Sequence, residues 1–133
     1  MICVEIHGKN YPLCLTVAAL DEINEKIGGI SGITTFLSGG EDASYEQMFE
    51  NTAWLLALLL REGEENRLIC EHFADGIESP VRREVPDLKA IRSGCTLASI
   101  AVYRASVLAA VSESMSQTIE AAYSKKKENG EQG

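Results

Sequence analysis

The chain has 133 residues, 45% of them hydrophobic and only 6% aromatic, so one domain with a mainly aliphatic core is expected. Its formal charge of −8 repels nucleic acid phosphates and anionic lipid, so no nucleic acid and no membrane partner is expected. Met1 leads straight into strand-like residues without a basic n-region, which predicts no secretory leader. The apolar run from Cys95 to Val111 is short for a membrane span and carries Arg104 near its middle.

The first element is a hairpin over residues 2–15. Ile2, Val4 and Ile6, then Tyr11, Leu13 and Leu15, alternate with more polar residues, which is the period of a half-buried β-ribbon. Pro12 cannot donate to a ladder, so its strand is an edge there. A Gly8-Lys9 turn sets Cys3 opposite Cys14, and a His7-Gly8 turn separates them; the sequence leaves both open. A lone hairpin needs cover on its apolar face. The nearest cover is the helix that follows, with Thr16 as its N-cap, Leu20, Ile23 and Ile27 at helical spacing, and Gly28-Gly29 as its stop. Ile30, Ile33, Phe36 and Leu37 predict one more short helical piece, ended by Gly39-Gly40.

Ser44 and Gln47 form a capping-box pattern at the head of the clearest helix. Tyr45, Met48, Phe49, Thr52, Leu56, Leu59 and Leu60 share one face, and Gln47, Asn51, Arg61 and Glu62 lie opposite. Trp54 and Leu58 also project to that opposite side. Three readings fit them: a central helix whose second face the C-terminal helix covers, a self-association or partner-binding patch, or simple exposure. A separate helix is expected over Glu64 to Asp75. Gly76, Pro80 and Pro86 then mark a connection. From Cys95 to about Ser124 there is no Pro or Gly, and Leu97, Ile100, Leu108, Val111, Met115 and Ile119 form a stripe. About thirty residues of helix span roughly 45 Å, more than the roughly 36 Å diameter of a compact chain of this size. That helix should overhang, bend or pack on another molecule. Arg104 interrupts its stripe, either as a snorkelling or internally paired side chain or as a partner contact. Residues 1–124 thus read as one mainly α domain with a small N-terminal hairpin (α+β), and 125–133 as a polar, disordered tail.

Catalytic chemistry is not evident. There is no GxxxxGK[ST], GxGxxG or GxSxG pattern. The acids fall where solvated helix faces put them. Cys3, Cys14, Cys70 and Cys95 lack CxxC spacing and read as small buried hydrophobes in a reducing cytosol. His7 and His72 form no ligand pair. The expectation is a non-enzyme with no catalytic residue, no metal and no cofactor.

The hairpin "VEIHGKNYPLCL", the helix "TVAALDEINEKIGG", an acid-rich loop and an apolar helix ending "LLREGEE" together resemble the tail assembly chaperones of long-tailed bacteriophages and prophages. Members often open with an I-x-G-K-x-Y-x-L hairpin and a helix closing at K-x-G-G; here these are Ile6, Gly8, Lys9, Tyr11 and Leu13, then Lys26, Gly28 and Gly29. The resemblance covers about Cys3 to Glu65. It implies a protein of the bacterial host cytoplasm that binds the tape measure protein and keeps it soluble until tail tube protein polymerises around it. A homo-oligomer is a further expected partner, and Trp54, Leu58 and Arg104 are the candidate partner-binding residues. Such chaperones often have a longer form made by ribosomal frameshifting. Lys125-Lys126-Lys127 could reflect a slippery run of codons, or a basic helix end that suits the helix dipole. The alternative function is an unrelated small helical adaptor or regulatory binding protein.

Overall fold

Among the described residues two strands and five α-helices follow in the order β1 (Cys3–Ile6), β2 (Lys9–Pro12), α1 (Leu20–Ile27), α2 (Ile33–Leu37), α3 (Tyr45–Phe73), α4 (Leu88–Gly94) and α5 (Leu97–Glu131). The computed structural model describes the backbone of residues 1–131 and the side chains of residues 1–116. The architecture is mainly α with a small antiparallel hairpin, as the sequence predicts.

The hairpin turns at His7-Gly8, both with positive φ (50° and 82°). A two-residue turn of this hand matches the twist of the strands, and glycine takes the second position without steric cost. The register that results pairs Cys3 with Pro12 and Val4 with Tyr11. Cys3 is therefore not opposite Cys14, and all four cysteines are free. His7 Nε2 also bonds the Gly94 carbonyl at 2.8 Å, tying the turn to the end of α4.

Val4, Ile6, Tyr11 and Leu13 form the buried face of the hairpin. Its main cover is α3, packed on β2, with α5 on β1, rather than the expected α1. Strand β2 and the extended stretch after it cross α3, and Cys14 N–H donates to the Leu59 carbonyl at 3.3 Å. The crossing falls on Gly63. A Cβ there would land on the Pro12 carbonyl oxygen, 2.7 Å from Pro12 C and 3.3 Å from Leu13 N. The separate helix expected over Glu64 to Asp75 does not form, because Gly63 does not end α3. It lets a backbone approach the helix, and α3 continues unbroken through 29 residues, about 43 Å.

Thr16 is not the N-cap of α1. A 3-10 turn (Val17–Ala19) precedes that helix, and the Thr16 side chain makes no cap bond. Its hydroxyl instead donates to Glu62 Oε1 at 2.9 Å. Ser44 does cap α3, accepting from Gln47 N–H at 3.1 Å. Only half of the expected capping box forms, since the Gln47 amide donates to Asn51.

Helix α3 is buried nearly all round from Asn51 to Leu60. Helix α5 lies along it in the same direction. Ile100 shares a groove with Phe49 and Ala53, and Ser114 Oγ meets Leu15 N–H at 3.1 Å, beside the crossing at Leu59–Gly63. The buried stripe of α5 is Ile100, Val107, Ala110 and Val111, with Leu108 half-buried. Leu97 and Met115, expected in that stripe, are exposed. Ile119, the Lys125–Lys127 run and the expected tail over 125–133 lie outside the residues whose side chains are described.

Candidate interaction surface

The sequence leaves Trp54 and Leu58 on what looks like the polar side of α3. In the fold that side is covered as well. Leu58 is only 4% exposed. Trp54 is half-buried, with Phe36 of α2 edge-on at 5.8 Å between ring centroids and Lys26 Nζ of α1 at 5.8 Å from its ring centroid. These neighbours come from α1 and α2, where the sequence reading put the C-terminal helix. One turn apart on α3, Trp54 and Leu58 floor a trough. Val85 and Pro86 of the connection and Leu88 at the start of α4 form one wall, and Glu22 and Arg61 also line the trough. A second hollow, lined by Glu22, Glu25, Lys26 and Trp54, adjoins it through the shared Glu22 and Trp54.

The wall is positioned by a carboxylate that sequence reasoning placed in solvent. Glu64 is 2% exposed. It accepts from Arg67 Nε and Nη2 at 2.8 and 2.6 Å, and from the Arg83 backbone N–H at 2.5 Å. Arg67 in turn donates to Glu71 and to the Val81 carbonyl, both at 2.7 Å. The two charged bonds from Arg67 hold the Glu64 carboxyl at about 2, below its ordinary 4.5, against the opposing effect of burial. An Arg82–Glu65 pair adds to the clamp. Together these contacts pin residues 81–83 to α3, and Val85 and Pro86 follow into the trough. Asp87 then caps α4, accepting from Ala90 N–H at 2.9 Å. The spacing Glu64, Arg67, Glu71 is the i, i+3, i+7 pattern of a paired helix face, so part of this clamp was readable. Arg83 was not, because it arrives from a distant loop.

Two more polar residues of α3 turn inward. Glu62 is 4% exposed and serves Thr16. Asn51 donates to the Phe36 carbonyl at 2.8 Å, holding α2 beside Trp54. Both were read as members of a solvated face, but every buried one of these groups has a partner, so each can be buried at tolerable cost.

Arg104 is not part of the trough. Its Nε donates to the Leu37 carbonyl at 2.9 Å and its Nη2 to Ser38 Oγ at 3.3 Å. It therefore closes the C-terminal end of α2, where a cation meets free carbonyls favourably. An internal partner was one reading of the sequence, but the expected partner was an acid rather than a carbonyl.

Chemically the trough offers an indole, aliphatic walls and carboxylates. Burial pushes the Cys14 and Cys95 thiols up, the opposite direction from an activated thiolate. Among the described residues no group of three His, Cys, Asp or Glu is placed to hold a metal ion, and no helix is long and apolar enough to cross a membrane. Other large apolar side chains stand in solvent at the distal end of α3 and the connection after it, including Phe73 and Val81, each 79% exposed. Comparisons of the chain with protein-family models, with curated proteins and with solved structures returned no match.

Proposed function

We propose that this chain is a non-catalytic tail assembly chaperone of a phage or prophage, which binds the tape measure protein in the bacterial cytoplasm and keeps it soluble during tail assembly. The observation that carries this reading is an open apolar trough, floored by Trp54 and Leu58, on a chain of net charge −8. A tape measure protein is long and largely helical, with apolar stripes. Holding it calls for helix-in-groove contacts and a charge that keeps the complex dispersed. The hairpin and first helix, which carry the resemblance, support the same reading by forming where the motif places them.

Co-expression with the long tape-measure-like reading frame of the same genome tests it. The tape measure protein is expected to stay soluble and to co-purify with the chain. A tape measure protein that aggregates equally with and without the chain, and is not retained by it, overturns the proposal and leaves the adaptor reading.

A further inference from the structure

We infer that the Trp54 trough takes a basic amphipathic helix, one whose apolar stripe is flanked by lysine or arginine. This deepens the proposed function and rests on it for the identity of the protein that carries such a helix. The trough's charges carry the inference. Glu22 and Arg61 neutralise each other as a close pair. Lys26 is drawn over the indole. The Lys26 charge stays at the rim and offsets one carboxylate, so the lining side chains Glu22, Glu25, Asp87, Lys26 and Arg61 sum to −1, with Glu25 and Asp87 the carboxylates outside the Glu22–Arg61 pair and Asp21 and Glu84 beside them in the chain.

Between these carboxylates lie Trp54, Ala57, Leu58, Val85, Pro86 and Leu88. All except Leu58 keep some exposure, so an incoming side chain can reach them. The trough joins a hollow of about 240 Å3 above Leu58 to one of about 390 Å3 beside Glu25 and Lys26, an open two-part shape rather than a single enclosed cleft. It suits side chains presented one or two at a time by a helix. Trp54 supplies the rigid aromatic anchor that dominates such contacts, through the part of its ring that Phe36 and Lys26 leave exposed. An acidic helix meets Glu25 and Asp87 as like charges and is rejected. A membrane surface is disfavoured because the rim is negative.

The test uses the full chain and two synthetic peptides of about five helical turns. Both carry the same leucine stripe; one is flanked by lysine and the other by glutamate. Binding is followed by the fluorescence of Trp54, the sole tryptophan. The lysine peptide is expected to bind and shift the Trp54 emission, with affinity falling as salt is raised. The glutamate peptide is expected to bind at least about tenfold more weakly. Glu25→Lys combined with Asp87→Asn should weaken the lysine peptide by about tenfold. Asparagine retains the N-cap, and Glu25 is exposed, so the double variant should fold, which circular dichroism checks. Equal binding of the two peptides, or binding that leaves Trp54 unchanged, overturns the inference. If the double variant still co-purifies with the tape measure protein as the wild type does, the trough is not the site but the chaperone reading stands. If the wild type fails to retain the tape measure protein while the peptides discriminate as described, the trough inference stands and the chaperone reading falls.

Discussion

In the interior of a helix, replacing glycine by alanine ordinarily adds about 1 kcal/mol of stability. Gly63→Ala should do the reverse. Its new Cβ would sit on the Pro12 carbonyl oxygen and 2.7 Å from Pro12 C, and real Cβ contacts are essentially never under 3.0 Å. The colliding atoms are backbone on both sides, so no rotamer change relieves them. Overpacking a well-filled core costs about 1–3 kcal/mol even when side chains can yield. Here the hairpin itself must lift from α3. Complete detachment exposes Val4, Ile6, Tyr11 and Leu13, at about 1.5–3 kcal/mol for each aliphatic side chain, which rivals the whole stability of a small domain. A partial shift is the cheaper response. The expected net loss is about 2–4 kcal/mol, read by urea unfolding. Amide exchange adds a local check. The Cys14 N–H bonded to Leu59 should exchange faster in the variant relative to amides of α5. Ala109→Gly, on the exposed side of α5, calibrates ordinary propensity and should lose only about 1 kcal/mol. A Gly63→Ala protein as stable as the wild type, or more so, would refute the close approach.

Glu64→Gln should remove a pH-dependent contribution. The carboxyl titrates at about 2 when folded against an ordinary 4.5, so its contribution of about 3 kcal/mol is full above about pH 4.5 and is lost as pH falls toward 2. The difference between wild-type and variant unfolding energies should narrow over that window, and a constant difference across it contradicts the buried clamp. Leu13→Ala empties a site that is 2% exposed and should cost about 2–5 kcal/mol; an unchanged denaturation midpoint rules out the hairpin packing. Arg104→Met leaves the Leu37 carbonyl without its charged donor and should cost about 1–2 kcal/mol, with the α2 amides losing exchange protection first. Trp54 emission should be partly blue-shifted in the dilute, partner-free chain, because Phe36 and Lys26 cover part of the ring; a fully solvated spectrum counts against that packing.

Periodicity settles what a local pattern can settle. Alternation of Val4 and Ile6 with polar residues made the hairpin, 3.6-residue spacing made α3 and α5, and Ser44 marked where α3 begins. These signals lie within a few residues of one another, so the sequence by itself carries them. Turn register was local too, yet degenerate, since both candidate turns contain Gly8; the turn forms at His7-Gly8, with His7 at positive φ and its ring tied to the Gly94 carbonyl. Tertiary structure alone decided the rest, because each remaining question turned on a neighbour far away in the chain. A separate helix was expected from Glu64 because the strand that needs the missing side chain of Gly63 lies some fifty residues earlier. Asn51, Glu62 and Glu64 looked solvated because Phe36, Thr16 and Arg83, which satisfy them, arrive from other elements. Trp54 and Leu58 were legible as an anomaly on a polar face, but not as the floor of a trough. The walls are α1, the connection at Val85–Pro86 and the first residue of α4, and the clamp that sets that connection is a set of charged hydrogen bonds that no periodicity encodes.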